Sequence, residues 1–439
     1  MARVSNTKVI NDIEKYNRLY PKYIEVLDRL IAQYPTTNGS IYGHLVNFQS
    51  NKEIAKHRWL DYKQGYADGL VRSILQYDNI GIGSLVLDPF CGVGTTNLTA
   101  QSMGLKSIGL DINPIAILTA EVKTHYYTTR EISQIENILL CINIPQEEYH
   151  IPDVKVLVNS FTPKIYSEFM RLRMFVERIE DSYVQKFFRL CLISIIDHCS
   201  LKVKDGNGLK IRKNPPQIDS AIDVYKQKAL MMLNDIKNFN QNVEAKIIFG
   251  SSLSQQTYAG VRDVDICVFS PPYANCFDYC EVYKLELWIG GFVRNYADFE
   301  RFRSIAMRSH VNSKFDHYFT NEFEDVDIIA ETIRTFNIWN KNIPDMLKGY
   351  FDDTQKVLEN VRDTLKIGAK CYVVVANSAY KGIVVPTDLL IANIAERIGY
   401  KAIRIVKART IRSSSQQMHA FGDKYNGLMR ESIVELQKL

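Results

Sequence analysis

The stretch that follows Ser84 constrains the fold of this chain most strongly, because two short apolar strands enclose a glycine loop and a helix. The pattern predicts a buried strand at Leu85-Val86-Leu87, a helix at Thr95–Gln101 and a second strand at Ser107–Leu110. Strands that alternate with helices usually pair in parallel, since the crossover helix returns the chain to the starting edge of the sheet. We therefore expect an α/β chain with a doubly wound, mostly parallel sheet and helical insertions.

Strand patterns return in the second half of the chain. Five further apolar segments predict strands, at Lys246–Phe249, Val264–Phe269, Cys371–Val375, Lys401–Val406 and Ser432–Leu436. The run that ends at Phe269 is nearly continuous in apolar residues, as expected for a central strand that is buried on both faces. A helix is expected from Pro386 to about Ile398. Together with the first two strands, these segments predict a sheet of seven strands.

Helical and irregular segments separate the strands. Apolar residues at helical spacing between Ile10 and Tyr34 predict one or two amphipathic helices. Helical patterns dominate residues 128–242, whereas residues 290–345 show no regular pattern and are rich in aromatic residues and Arg. We therefore expect six consecutive parts: an N-terminal helical extension (1–56), a cofactor-binding part (57–127), a helical insertion (128–242), a catalytic part (243–289), an inserted segment (290–345) and a C-terminal part of the main domain (346–439).

Composition excludes several classes of protein. The 439 residues are 46% hydrophobic and 23% charged, which is typical of a globular protein and not of a disordered chain. The sequence has neither an apolar run of membrane-spanning length nor a signal-peptide pattern, so a cytoplasmic protein without membrane contact is expected. The eight cysteines form no C-x-x-C pair, and no metal site is expected. The net charge of +5 is compatible with nucleic acid but does not indicate it.

The loop after the first strand has the sequence Asp88-Pro89-Phe90-Cys91-Gly92-Val93-Gly94-Thr95-Thr96. Ligands of open α/β sheets bind outside the carboxyl ends of the strands, which is where this loop lies. Its two glycines allow a tight turn and a close approach to a ligand. A dinucleotide site would require G-x-G-x-x-G, and the third glycine is missing. The loop therefore indicates a ligand with a cationic or amine-bearing group, although a simple strand-to-helix turn would use the same residues.

A second carboxylate stands at the end of the next strand. Asp111 occupies the position at which an acidic residue accepts hydrogen bonds from both hydroxyls of a ribose. An adenosine joined to a cationic amino-acid tail describes S-adenosylmethionine, which we therefore expect as the cofactor. The alternative is that Asp88 and Asp111 only cap helices.

The central strand is followed by the tetrapeptide Ser270-Pro271-Pro272-Tyr273. Two prolines hold the chain extended and remove two N–H donors, so that its carbonyl groups are available as acceptors. Acceptors at Ser270 and Pro271 would localise the lone pair of an exocyclic amine, and the ring of Tyr273 would stack on a base flipped out of a duplex. A proline-rich turn at a strand end is the alternative. Methylation at cytosine C5 is disfavoured, because it would need a nucleophilic cysteine after a proline.

Together, the two motifs resemble those of the S-adenosylmethionine-dependent DNA amino-methyltransferases (N4-cytosine/N6-adenine type) of bacterial restriction–modification systems. The similarity covers about Arg58–Leu110, Val264–Trp288 and Lys370–Leu439. It implies a Rossmann-like methyltransferase sheet, catalysis by Ser270, Pro271, Pro272 and Tyr273, and double-stranded DNA as substrate, with a cognate restriction endonuclease acting on the same site. In this family a serine at the first catalytic position is commonest among cytosine-N4 enzymes, whereas aspartate or asparagine usually marks adenine-N6 enzymes.

The resemblance also implies a set of cofactor-binding residues. They come from the segment before the loop, the loop itself and the two following strand ends: Tyr66, Asp88, Pro89, Phe90, Cys91, Gly92, Gly94, Thr95, Thr96, Asp111, Ile112 and Ser251. Ser251 lies in Gly250-Ser251-Ser252, where the family often has an acidic residue that meets the adenine amine. The cofactor motif precedes the catalytic motif, which is the reverse of the order in many serine-type relatives.

Basic residues in three segments are candidates for phosphate contacts. They are Lys202, Lys204, Lys210, Arg212 and Lys213 in one segment, Arg308 in a second, and Arg409 and Arg412 in a third. Lys and Arg placed among Gly and Asn can wrap phosphates, and such contacts position a protein on a duplex. Solvated charged loops are the alternative interpretation of each segment.

We expect transfer of a methyl group from S-adenosylmethionine to N4 of a flipped cytosine in a specific DNA sequence. Adenine-N6 methylation is the first alternative within the same mechanism, and an RNA amino-methyltransferase would use the same tetrapeptide. A catalytically silent nucleic-acid-binding module is the alternative from a different class, although such a protein would need to keep neither motif.

Overall fold

The computed structural model describes residues 6–62, 65–151, 154–206, 208–239, 243–313, 319–411 and 425–439, with only the backbone described for 6–13 and 426. The chain divides into two compact units, each built from separate stretches of sequence. Unit 1 comprises the described residues of 1–46, 252–277 and 306–439, and unit 2 those of 47–251 and 278–305.

The strands of the described residues are numbered in chain order. They are β1 (Thr36–Asn38), β2 (Leu85–Asp88), β3 (Lys106–Asp111), β4 (Lys202–Asp205), β5 (Gly208–Ile211), β6 (Ala245–Phe249), β7 (Val264–Phe269), β8 (Leu365–Ala376), β9 (Ser378–Tyr380), β10 (Ile383–Val385), β11 (Tyr400–Thr410) and β12 (Arg430–Lys438).

The α-helices are numbered in the same way. They are α1 (Asn6–Gln33), α2 (Asp68–Tyr77), α3 (Thr95–Ser102), α4 (Pro114–Thr124), α5 (Thr129–Leu140), α6 (Lys155–Val158), α7 (Pro163–Glu177), α8 (Ser182–Ser194), α9 (Ile196–Cys199), α10 (Ala221–Lys237), α11 (Tyr279–Val282), α12 (Lys284–Gly290), α13 (Tyr296–Ile305), α14 (Glu324–Arg334), α15 (Ile343–Thr364) and α16 (Thr387–Arg397).

In unit 1, five strands lie in the order β1-β11-β12-β8-β7. β7 and β8 are parallel, whereas β12 is antiparallel to both of its neighbours, β8 and β11. β7 is buried because its apolar run faces protein on both sides, as in the central strands of parallel sheets. The carboxyl ends of β7 and β11 and the amino end of β12 therefore lie at the same edge of this sheet.

In unit 2, three parallel strands lie in the order β2-β3-β6. α3 follows β2 and α4 follows β3, which is the strand–helix alternation that the sequence predicts. α4 begins with Pro114 and is capped by Asn113, whose side chain accepts a hydrogen bond from the Ile115 N–H. The cofactor loop thus runs from the carboxyl end of β2 into the amino end of α3.

The predicted α/β class with a doubly wound, mostly parallel Rossmann-like sheet is confirmed, with three differences in detail. The strands of the two units just described number eight and not seven, because the short β1 pairs with β11 in parallel. The segment expected to be a helical insertion also contains the antiparallel hairpin β4–β5. The segment at 290–345, expected to be irregular, contains the helices α13 and α14.

No helix among the described residues has both the length and the apolar character needed to cross a bilayer. The same residues contain no group of three or more His, Cys, Asp or Glu side chains arranged to hold a metal ion.

Candidate active site

The cofactor loop in unit 2 adopts a backbone conformation that requires its glycines. Gly92 and Gly94 have φ values of 49° and 77°, in the left-handed region that favours glycine. A Cβ at Gly94 would lie 2.9 Å from the Cβ of Ala120 in α4, so this position is also too close for a side chain. The loop therefore packs directly against α4, and its backbone remains accessible at Gly92.

Asp88 holds the loop from within. One carboxylate oxygen accepts hydrogen bonds from the hydroxyls of Tyr66 (2.9 Å) and Thr96 (2.6 Å), and the other accepts one from the Phe90 N–H (3.0 Å). Burial raises the pKa of Asp88 to about 7. Because both oxygens are engaged inside the loop, the expected direct contact with a cationic ligand is less favoured than a role in shaping the loop.

Asp111 lies at the end of β3 and is only partly buried. Its oxygens accept hydrogen bonds from the N–H groups of Gly92 (2.9 Å) and Asn113 (2.8 Å). Burial raises the pKa of Asp111 to about 6. Each carboxylate oxygen has two lone pairs, so Asp111 retains acceptor capacity for the two hydroxyls of a ribose. Together with the open backbone at Gly92, this acceptor set fits the adenosine part of S-adenosylmethionine.

The predicted cofactor-binding residues fall into two groups by exposure. Phe90, Gly92, Asp111, Ile112 and Ser251 are partly accessible, and these could contact a ligand directly. The others are buried: Tyr66, Asp88, Pro89, Cys91, Gly94, Thr95 and Thr96. The hydroxyl of Ser251 donates a hydrogen bond to the Ile305 carbonyl (2.7 Å).

Tyr62 is an additional candidate that the sequence prediction omitted. Its ring stacks on that of Tyr283 (centroid separation 5.2 Å, interplanar angle 17°) and lies beside Tyr279. A Cβ at Gly92 would lie 3.3 Å from the ring of Tyr62. Burial is the main cause that raises the pKa of Tyr62 well above its usual value, with a smaller contribution from Asp111. The position of Tyr62 just before the cofactor segment was the only sequence signal for this placement.

The tetrapeptide in unit 1 leaves the carboxyl end of β7. The hydroxyl of Ser270 donates a hydrogen bond to the hydroxyl of Tyr273 (3.3 Å), which in turn donates one to Glu431 (2.7 Å). The other carboxylate oxygen of Glu431 accepts a hydrogen bond from the Nε of Arg409 (2.6 Å). The structure thus brings the predicted Ser270 and Tyr273 together and adds Glu431, which the sequence did not single out as a site residue.

The chain after the tetrapeptide is held by hydrogen bonds to segments that are distant in the sequence. The buried hydroxyl of Tyr380 donates a hydrogen bond to the Ala274 carbonyl (2.7 Å), and the Cys276 N–H donates one to the Ser309 carbonyl (3.1 Å). Burial raises the pKa of the Cys276 thiol to about 11. This thiol is therefore protonated near neutral pH and is a poor nucleophile.

The hairpin β4–β5 and the two residues that follow it contain five of the predicted phosphate-binding residues. Lys204 is buried in an ion pair with Glu286 (2.5 Å), with its ammonium group 4.1 Å from the centre of the Tyr283 ring. Arg212 donates to backbone carbonyls of the same region, and Lys210 pairs with Asp205. Lys202 is partly buried, and Lys213 is exposed. The phosphate role expected for Lys204 is thus disfavoured by its burial, whereas Lys213 remains well placed.

The other candidates for phosphate binding also have protein partners. Arg308 pairs with Asp352 and Asp353, and Arg409 pairs with Glu431. Arg409 still has 41% of its side chain exposed, compared with 17% for Arg308. Arg412 lies outside the described residues.

Comparison with known proteins finds similar sequences. A family model described as DNA methylase, of the N6/N4 type, matches residues 61–121. The chain is 27% identical to the Type II methyltransferase M.BsoBI of Geobacillus stearothermophilus, over 90% of this chain and 88% of that protein. It is 24% identical to the Type II methyltransferase M.AvaI of Nostoc sp., over 94% of this chain and 92% of that protein. The similarity to both relatives therefore extends well beyond the two motifs.

A solved rRNA methyltransferase, aviRa from Streptomyces viridochromogenes, aligns over 89% of this chain and 92% of that chain with 11% identity and a TM-score of 0.32. The sequence similarities confirm the resemblance inferred from the two motifs: the chain is similar to DNA amino-methyltransferases of the N4/N6 type from restriction–modification systems, and the cofactor that this similarity implies is S-adenosylmethionine.

Proposed function

We propose that the chain transfers a methyl group to the exocyclic N4 of a cytosine that is flipped out of double-stranded DNA at a specific sequence. The observation that carries this proposal is a serine at the first position of the tetrapeptide, with its hydroxyl hydrogen directed to Tyr273. A serine oxygen in this state offers lone pairs to an amine N–H. We further propose that the methylation protects the DNA from a restriction endonuclease that cuts the same site.

On the cofactor side, bound S-adenosylmethionine supplies an electrophilic methyl group on a sulfonium centre. Asp111 would accept hydrogen bonds from the ribose hydroxyls, and Phe90 and Ile112 would pack against the adenosine. The buried pair formed by Asp88 and Thr96 would maintain the loop conformation that leaves Gly92 open. Preorganisation of this kind favours binding, since less conformational entropy is lost when the ligand arrives.

On the base side, the Ser270 hydroxyl and the Pro271 carbonyl would each accept a hydrogen bond from the exocyclic amine. These bonds would draw the nitrogen lone pair out of the ring, so that it becomes nucleophilic. With the cofactor bound, the nitrogen would take the methyl group as the carbon–sulfur bond breaks, and the proton that it loses would pass to solvent. No covalent bond to the protein is required, in agreement with the raised pKa of Cys276.

The ring of Tyr273 would stack on the flipped base. Its hydroxyl is anchored by Glu431, which restricts rotation of the side chain and fixes the plane of the ring. Stacking on an aromatic side chain contributes about 1 to 3 kcal/mol per base in single-strand binding. The exposed Lys213, two residues beyond the end of β5, would contact the DNA backbone.

Nucleoside mass spectrometry tests this proposal. Purified protein is incubated with isotopically labelled S-adenosylmethionine and double-stranded DNA of mixed sequence, and the DNA is digested to nucleosides. We expect labelled N4-methylcytosine with the wild-type protein and none with Ser270→Ala, while Tyr273→Ala loses most of the product. Labelled N6-methyladenine would identify adenine in place of cytosine as the target, and the absence of any labelled nucleoside from the DNA would contradict the proposed function.

A further inference from the structure

We propose that Glu431 is a positioning residue for methyl transfer, because it sets the direction of the hydrogen bonds between Tyr273 and Ser270. Arg409 holds Glu431 in place for this role. The inference rests on the proposed function, since Ser270 is taken to accept a hydrogen bond from the amine of the base. It concerns a residue outside both motifs, on the last strand of the chain.

The sheet of unit 1 brings these residues to one edge. β7 runs toward this edge and delivers Ser270 just beyond its carboxyl end. β12 runs in the opposite direction, so its second residue, Glu431, lies at the same edge. β11 runs back toward the edge, and Arg409 is directly opposite Glu431 in the β11–β12 register. Two strands of opposite direction are therefore needed to place a carboxylate and its arginine beside the tetrapeptide.

The hydrogen-bond chain has one possible direction. Arg409 can only donate, and a carboxylate can only accept, so the hydroxyl of Tyr273 must donate to Glu431. The oxygen of Tyr273 is then an acceptor for the Ser270 hydroxyl. With its hydrogen used in this way, the Ser270 oxygen presents lone pairs to the substrate amine. The negative charge on Glu431 thus determines that Ser270 acts as an acceptor.

The burial of Glu431 distinguishes it from a surface ion pair. Only 4% of its side chain is exposed, and its two oxygens serve different partners, Arg409 and Tyr273. A buried carboxylate needs such partners, because an uncompensated charge in the interior is strongly destabilising. A surface ion pair contributes little stability. The buried carboxylate of Glu431 instead joins an arginine to a tyrosine hydroxyl, which is an arrangement that a simple surface ion pair does not need.

The amide variant Glu431→Gln tests the direction directly, since it keeps the shape of the side chain. Arg409 still requires an acceptor, so the amide oxygen faces Arg409 and the amide NH2 group faces Tyr273. The hydroxyl of Tyr273 must then accept, and its hydrogen turns to the oxygen of Ser270. The Ser270 oxygen then gives one of its two lone pairs to Tyr273, and its own hydrogen is free to turn toward the amine, which weakens Ser270 as an acceptor. We expect kcat to fall by roughly 10- to 100-fold, as for the loss of a hydrogen bond to a charged group, with little change in KM for S-adenosylmethionine.

Glu435→Gln is the matched control on the same strand. Glu435 is buried to a similar degree and is directly opposite Arg404 in the β11–β12 register. Its partners are Arg404 and Lys370, and its distance along β12 keeps it on the same face of the sheet as Glu431. The loss of a carboxylate–arginine pair is therefore common to both variants. We expect Glu435→Gln to keep kcat while its unfolding temperature falls as much as that of Glu431→Gln.

A double-mutant cycle with Tyr273→Phe separates positioning from a general structural effect. Phenylalanine keeps the stacking ring but removes the hydroxyl that links Glu431 to Ser270. In the Tyr273→Phe background, Glu431→Gln should change kcat by less than about twofold, because the two substitutions act on one chain of hydrogen bonds. An equal loss of kcat in both backgrounds, or an equal loss for Glu431→Gln and Glu435→Gln, would overturn the proposal.

An infrared measurement on the protein alone keeps this test separate from the proposed function. The frequency of the C–O stretch of a phenol shifts in opposite directions when its hydroxyl donates a hydrogen bond and when it accepts one. The difference between the spectrum of a protein and that of its Tyr273→Phe variant isolates the signal of Tyr273. In the wild type the Tyr273 hydroxyl donates to a carboxylate and accepts from a hydroxyl. In Glu431→Gln it would donate to a hydroxyl and accept from an amide, so we expect its C–O stretch to shift toward the accepting side in the variant. The same signature in both would refute the assigned direction, whereas a wild type without methyl transfer to DNA would refute the proposed function alone.

Discussion

Substitution of Gly109 by alanine should disturb the cofactor loop from beneath. Gly109 lies on β3 beside Asp88, and a Cβ there would lie 2.7 Å from the side-chain oxygen of Asn97. It would also lie 2.8 Å from the Cβ and 2.9 Å from the Sγ of Cys91 in the loop. All three distances are shorter than real Cβ contacts, so Cys91 or the strand must move.

The magnitude follows from two opposing effects. Overpacking of a well-packed interior costs about 1 to 3 kcal/mol. The reduced chain entropy of the unfolded alanine variant offsets about 0.4 to 1 kcal/mol of that cost. We therefore expect Gly109→Ala to lower the free energy of unfolding by about 1 to 2 kcal/mol. Because Cys91 is also bonded to β3 through its N–H and the Leu110 carbonyl, its displacement should shift the loop. We also expect the affinity for S-adenosylmethionine to fall about tenfold, which corresponds to roughly 1.4 kcal/mol of binding free energy.

Gly81→Ala is the matched control, since a Cβ at Gly81 would meet nothing within 4 Å. Urea-induced unfolding gives the free energy of each variant, and titration calorimetry with S-adenosylmethionine gives the affinity. We expect Gly81→Ala to match or slightly exceed the wild type in stability and to bind the cofactor with the same affinity. If Gly109→Ala behaved like Gly81→Ala in both assays, the inferred packing of the loop on β3 would be wrong.

Three further predictions concern charged groups. Burial raises the pKa of Asp88 to about 7, above its value in the unfolded chain. The wild type should therefore lose roughly 2 to 4 kcal/mol of stability relative to Asp88→Asn as the pH rises from about 4 to 7. An equal difference in unfolding free energy between the two proteins at pH 5 and pH 8 would contradict this prediction. Because the pKa of Asp111 is raised to about 6, cofactor affinity measured by calorimetry should fall as the pH drops below that value, and Asp111→Asn should remove the dependence. Lys213→Ala should reduce the slope of log Kd for DNA against log salt concentration by about 0.9, and an unchanged slope would remove this residue from the DNA interface. Lys204→Ala should leave Glu286 without its ion pair and lower the free energy of unfolding by about 3 kcal/mol.

Much of the fold could be predicted because its elements carry strong local patterns. β7 is a nearly continuous apolar run, and β2, the glycine loop and α3 follow one another in a short stretch. The short strand β1 has no such pattern, since its residues are exposed and polar. It is a strand only because β11 offers a partner far along the chain. A pairing of this kind depends on tertiary structure and leaves no mark in the local sequence.

The candidate site was predictable to the same extent. Asp88, Ser270 and Tyr273 could be named because each belongs to a motif whose chemistry requires its side chain. Asp111 could be named because it stands at the end of the next strand. The burial of Lys204 could not be anticipated, because its partner Glu286 is remote in sequence and a basic stretch has the same composition whether it is exposed or paired. The position of Glu431 depends on the antiparallel direction of β12, which a single strand pattern does not reveal.

DNA in which one base is already modified tests the central claim most directly. Duplexes of the same mixed sequence can be synthesised with every cytosine replaced by N4-methylcytosine or with every adenine replaced by N6-methyladenine. The transfer of labelled methyl groups from S-adenosylmethionine to each duplex is then compared with transfer to unmodified DNA. We predict that the N4-methylcytosine duplex accepts almost no label, while the N6-methyladenine duplex accepts label at its cytosines. Undiminished labelling of the N4-methylcytosine duplex together with loss of labelling in the N6-methyladenine duplex would contradict the account.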